Sequence, residues 1–244
     1  MSKGYKLVAN GHILEVYEYE KEPIVGHGGN GGGRRKKDEE ESERAAEIRK
    51  SSSLKARNEV RRQILANFGQ HSKFWTFTFR DTDQFDVTSV SDCNKQFKKA
   101  IQRMKYRYGN FKYIAVIEFQ DKNGRGAVHY HMICDLPYVP HEEMQEKVWK
   151  NGHCFIKDIK HVDNVGAYLI KYMVKEVDDG RLKGQKSYLS SKGLQKSSVI
   201  RGNYVEEILK TVGIKEDTKK VFTNSYESEH HGKVLYTEYN LKRI

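Results

Sequence analysis

The alternation of apolar and polar positions divides the middle of the chain into short elements. In "KFWTFTFRD", Lys73 to Asp81, Thr76 and Thr78 alternate with Trp75, Phe77 and Phe79, the period of a strand with one buried face. "FKYIAVIEFQ" (Phe111 to Gln120) and "AVHYHMICDL" (Ala127 to Leu136) read as two more strands, with "DKNGRG" between them as the turn of a hairpin. A basic helix is predicted over roughly Ser91 to Tyr108, stopped by Gly109-Asn110. Further on, "HEEMQEKVWK" looks helical, "GHCFIKDI" extended and "NVGAYLIKYMVKEV" helical again.

The flanks are weaker. Tyr5 to Glu20 alternate about Asn10-Gly11, a hairpin signal. "GHGGNGGG", Gly26 to Gly33, lacks phosphate-loop spacing and reads as a flexible linker. Lys36 to Phe68 is charged, with sparse apolar points at Ile48, Leu54, Val60, Ile64 and Leu65, and predicts one or two helices. Beyond Gly180 the pattern predicts no element.

Strand, helix, two strands, helix, strand, helix is the order of an α+β fold. It predicts a central antiparallel β-sheet with helices packed on one face, the ferredoxin-like split βαβ type. Three segments are expected: 1–50, an extension with a hairpin and Gly-rich linker; 51–195, the domain carrying the chemistry; and 196–244, a C-terminal extension.

Charge narrows the partner. Among 244 residues, 44 Lys and Arg oppose 33 Asp and Glu, a formal charge of +11 that favours a polyanion, nucleic acid above all. In "KKAIQRMKYRYGNFKY" cations interleave with aromatics, which suits phosphate contact beside base stacking. Arg103, Lys105, Arg107 and Lys112 are the candidate DNA contacts. Cys93, Cys134 and Cys154 form no C-x-x-C pair, so neither a zinc knuckle nor a disulfide framework is indicated. No signal-peptide core and no membrane-length apolar run is present, and a cytosolic protein is expected.

Two constellations carry chemistry. His129 and His131, two apart in a strand, share a face while Tyr130 points away. Glu118 and Gln120 share a face of the neighbouring strand, and a carboxylate from there could complete a two-histidine, one-acid metal site. Paired strand histidines are more often hydrogen-bonded bystanders, but these interrupt an apolar run where uncompensated polar groups are costly. A cupin pairing is disfavoured, since Asp135 is the nearest following acid and the helices do not suit a barrel. In "GAYLIKYMVK", Tyr168 and Tyr172 fall on one helical face beside Lys171 and Lys175, opposite Ile170, Met173, Val174 and Val177. Such tyrosines usually pack; beside a metal, a phenol can attack a phosphodiester.

Three blocks in this order resemble the rolling-circle replication initiators (Rep) of the His-hydrophobic-His (HUH) endonuclease superfamily, two-tyrosine phage and plasmid type. "FWTFTF" resembles the first motif, "HYHM" the metal motif and "YLIKYMVK" the double Y-x-x-K motif, within approximately Leu54 to Gly193. "KYIAVIEFQ" puts Glu118 at the family's acidic ligand, although the longer "DKNGRG" turn leaves Glu118 or Gln120 open. The resemblance implies an HUH endonuclease fold and site-specific single-strand DNA nicking and joining through a 5′-phosphotyrosine. It implies Mg or Mn on His129, His131 and Glu118, Tyr168 or Tyr172 as nucleophile, and Lys171 and Lys175 assisting. Single-stranded or hairpin origin DNA would be the substrate in the bacterial host cytoplasm. A host polymerase would extend the 3′-OH, and a host helicase would unwind, because no Walker motif is visible. The alternatives are an HUH transposase or relaxase, though relaxases carry a third histidine where Ile133 stands, or a non-catalytic binder stacking bases on "FWTFTF" and Tyr130.

Overall fold

The computed structural model describes residues 4–21, 40–173, 179–182, 184–214 and 219–243. In chain order these hold β1 (Gly4–Asn10), β2 (Ile13–Tyr19), α1 (Glu40–Asn67), β3 (Lys73–Thr78), α2 (Val90–Tyr108), β4 (Tyr113–Gln120) and β5 (Ala127–Cys134). They continue through α3 (His141–Glu143), β6 (Cys154–Lys157), α4 (Val165–Ile170), β7 (Tyr188–Ser190), β8 (Ser198–Arg201), α5 (Tyr204–Thr211), β9 (Lys220–Ser228) and β10 (Gly232–Asn240). The fold is α+β with two antiparallel five-stranded sheets. The chain divides into two compact units, Glu39–Gln195 and the two ends, Met1–Asp38 with Lys196–Ile244.

In the first unit the strands run β6-β3-β5-β4-β7. Period-two alternation sends Trp75, Phe77, Ile117, Tyr130 and Met132 to one face, where α2 meets them. The side of α2 that packs there, Val90, Cys93, Phe97, Ala100 and Met104, recurs every three or four residues. Ser89 starts the helix by accepting the Asp92 N–H at 3.3 Å, and Gly109 at φ 81° ends it. Phe97 stacks on Tyr130 at 4.2 Å.

Helices cover both faces of this sheet, not the single face that the order of elements predicts. The strands are apolar on both sides: Ile114, Val116 and Ile133, facing away from α2, are at most 1 % exposed. On that second face α4 lies against β5, and α1 packs on α4. The helical "HEEMQEKVWK" is only one α-turn, α3, which continues in π-type hydrogen bonding over Met144–Trp149 and stops at Lys150, whose φ is 61°.

In the second unit Gly11, at φ 58°, turns the β1–β2 hairpin. The sheet order is β8-β1-β2-β10-β9, so strands from both ends of the chain pair side by side. Leu7, Leu14 and Val16 pack beneath Val205 of α5. Among the described residues no helix is long and apolar enough to cross a membrane.

Candidate active site

The register of the β4–β5 hairpin sets Glu118 opposite His129 and Val116 opposite His131, all on the face away from α2. One ligand atom each from Glu118, His129 and His131 lies within 4.8 Å of the others. His131, only 5 % exposed, has Nε2 at 2.6 Å from Glu118 Oε2 and Nδ1 at 3.0 Å from Thr76 Oγ1. The first contact holds a proton between nitrogen and carboxylate, the place a divalent cation would take.

Gln120 does something different from Glu118. Its Oε1 lies 3.1 Å from His129 Nε2 and accepts the Arg125 guanidinium at 2.8 Å. Arg125 is itself fixed by Asp81 and by the Phe79 carbonyl, both at 2.7 Å. Accepting the Nε2 proton leaves the His129 lone pair on Nδ1. Burial, then the neighbouring His131 and Arg125 charges, against Glu118, lowers the His129 pKa to about 4. The imidazole is neutral, the form that binds metal.

The tyrosines arrive from α4, whose start is capped by Asn164 accepting the Ala167 N–H at 2.8 Å. The regular helix stops at Ile170, and the Tyr172 N–H bonds the Leu169 carbonyl at 3.1 Å in a tighter turn. Tyr172 stacks on His131 with ring centroids 4.0 Å apart, and its hydroxyl donates to that of Tyr168 at 3.3 Å. Burial raises the Tyr168 phenol. Hydrogen bonds from Tyr172 and Lys157, with the charges of Lys157 and Lys171, outweigh it and leave Tyr168 below the ordinary tyrosine value. Burial, then the hydrogen bond and charge of Tyr168 and the charge of Glu118, raises Tyr172 to about 12. Lys171 stands 5.8 Å from the centre of the Tyr168 ring. Lys175 lies outside the described residues.

Residues 72–177 match the family of replication-associated protein ORF2/gene 2 protein. That stretch opens just before β3 and contains the triad and both tyrosines, and the match supports a role in replication initiation. No curated protein and no solved structure matches the chain.

Within the matched stretch, the structure does not gather the expected DNA contacts around the triad. Arg103, Lys105 and Arg107 ride on α2, behind the sheet. Arg103 Nε donates to the Val148 carbonyl at 2.7 Å, and Arg107 lies 3.5 Å from Glu143. Lys112 is half-buried, its backbone N–H held by Asp135 at 2.7 Å. Nor are the aromatics of "FWTFTF" a stacking platform: Trp75, Phe77, Phe79 and Tyr130 are at most 2 % exposed, and the Tyr130 hydroxyl is spent on Asn94 at 2.8 Å.

Three contributors lie outside the motifs as read. Phe74, alternating with Trp75, packs against Tyr168, Tyr172 and His131 at 5.2, 5.6 and 5.8 Å. Thr76 holds His131. Lys157, from β6, stands 5.6 Å from the Tyr168 ring centre. The alternation of β3 signals the first two; the third needs the β3–β6 pairing, which no local pattern carries.

Proposed function

We propose that the protein initiates rolling-circle DNA replication as a metal-dependent, site-specific nickase and strand transferase of the two-tyrosine HUH type. The observation that carries this reading is the stacking of Tyr172 on His131 at 4.0 Å, which sets a phenol pair against a two-histidine, one-carboxylate cluster. The donor set suits Mg or Mn: one carboxylate and two imidazoles, with His129 held neutral. When bound by Glu118, His129 and His131, the cation would polarise the non-bridging oxygens of a scissile phosphate.

The chain's own residues do the rest. Tyr168 or Tyr172 attacks phosphorus; the phenolic oxygen forms the new P–O bond as the 3′-oxygen leaves. The products are a 5′-phosphotyrosine and a 3′-OH, which a host polymerase extends behind a host helicase. Tyr172 donates to Tyr168 and so supports a phenolate there, while Lys157 and Lys171 add positive charge. The second tyrosine serves strand joining at termination, with Lys175 assisting. The substrate is single-stranded or hairpin origin DNA in a bacterial cytoplasm.

The test is a denaturant-resistant adduct with an origin oligonucleotide and Mn. An adduct formed equally well by Tyr168→Phe/Tyr172→Phe overturns the reading.

A further inference from the structure

Strand β6 turns His153, Phe155 and Lys157 to the same face of the sheet as the triad. The register shows it: Phe155 pairs with Thr76 and Lys157 with Phe74, while the His153 carbonyl accepts the Thr78 N–H and hydroxyl at 2.8 and 3.1 Å. Because Thr76 in turn pairs with His131, Phe155, Thr76 and His131 form one transverse row across three strands. At about 4.8 Å per strand, Phe155 stands roughly 10 Å from His131. Only the small Thr76 side chain intervenes.

This row is open to solvent. β6 is the edge of its sheet, His153 and Lys157 are exposed, and Phe155 is 56 % exposed. The other strand aromatics of this unit are buried or half-buried, so Phe155 is the exposed ring on the triad's face among the described strands. Its ring lies 6.4 Å from that of His153. Cations stand at both ends. Lys157 reaches over Tyr168, and beside His153 a depression of about 320 Å³ is lined by Arg80, Lys150 and Gly152, with Gln145 and Glu146 at its rim.

We propose that this row binds one unpaired nucleotide adjoining the scissile bond, its base stacked on Phe155 and its phosphate on Lys157. The strand then continues towards Arg80 and Lys150. The inference rests on the nicking reading for its position in the reaction, and on the sheet geometry for the ligand. An exposed phenyl flanked by cations suits a base with both a free π-face and a nearby phosphate. A base inside a duplex is already stacked, so the ligand is a single strand or a hairpin loop.

The probe is a short fluorescent oligothymidylate, bound to the full chain in the presence of a chelator so that no nicking occurs. Phe155→Ala is expected to weaken binding roughly five- to hundredfold, and Phe155→Trp to restore it, with manganese affinity unchanged in both. An abasic scan adds position. One abasic site should cost the wild type the same factor and cost Phe155→Ala nothing. Equal binding by wild type and Phe155→Ala, failure of Trp to rescue, or no abasic position whose effect vanishes in the variant overturns the proposal. If binding follows Phe155 but the wild type forms no manganese-dependent adduct, the row stands and the nicking reading falls. If the adduct forms and binding ignores Phe155, the reverse holds.

Discussion

Thr76 Oγ1 meets His131 Nδ1 at 3.0 Å, on the far side of the imidazole from Glu118. A hydroxyl in that place fixes which ring nitrogen is free and how the ring is turned. Thr76→Val keeps the shape and removes the hydroxyl. Manganese affinity is expected to fall about 10- to 100-fold, with the urea midpoint nearly unchanged because Thr76 lies at the half-buried open end of the site. Calorimetric titration that gives the wild-type affinity would show that Thr76 does not orient the ligand.

Gly166 is where α4 comes closest to α1. A Cβ there would lie 2.6 Å from the Arg61 carbonyl oxygen and 3.0 Å from the Leu65 side chain. Gly166→Ala must push the two helices apart, at a stability cost of about 1–3 kcal/mol. The tyrosines ride on α4 while the triad rides on the sheet, so adduct formation should drop more than manganese affinity does. Parallel losses in both would contradict this separation.

The two phenols are unequal. Tyr168 sits below the ordinary tyrosine pKa and Tyr172 is raised to about 12, so Tyr168 ionises first. Tyr168→Phe should slow the first adduct on the order of tenfold more than Tyr172→Phe. Peptide mapping of the wild-type adduct should find DNA on Tyr168. Predominant labelling of Tyr172 would reverse the assignment.

Burial raises the thiols of Cys93 and Cys134 to about 12 and of Cys154 to about 11, from an ordinary 9.0. Above pH 9 the unfolded chain releases these protons while the native chain keeps them. The native state binds more protons there, so stability is full below pH 9 and declines as the pH climbs towards 11–12. Native thiols should resist iodoacetamide at pH 8 and react at once in denaturant. Rapid native alkylation would contradict the burial.

The strands were legible because period-two alternation is local, and the same period placed His129 and His131 on one face with Glu118 across the turn. The choice between Glu118 and Gln120 was not, because it depends on Arg125 in the turn reaching Gln120 and on Asp81 reaching Arg125. Apolar spacing typical of a helix runs on past Tyr172, whereas the regular helix stops at Ile170. Phe155 and Lys157 stayed silent because their meaning comes from the β3–β6 register. β9 gave no signal at all: it is exposed along nearly its whole length and held by pairing with β10, so its side chains carry no alternation. A second helical layer followed from apolar residues on both faces of the sheet, visible in "YIAVI" only as an unbroken run.

The strand order β6-β3-β5-β4-β7 places the ligand-bearing pair, β4 and β5, inside the sheet, where each strand is hydrogen-bonded on two sides. β6 and β7 answer to one neighbour each. Substitutions along the margins therefore disturb one ladder at most, while a change in β4 or β5 disturbs two. The molecule keeps its chemistry in its least revisable strands and its substrate-facing row in a revisable one. In a lineage of such proteins, DNA preference can drift along β6 from one origin to another without the reaction ever being lost on the way.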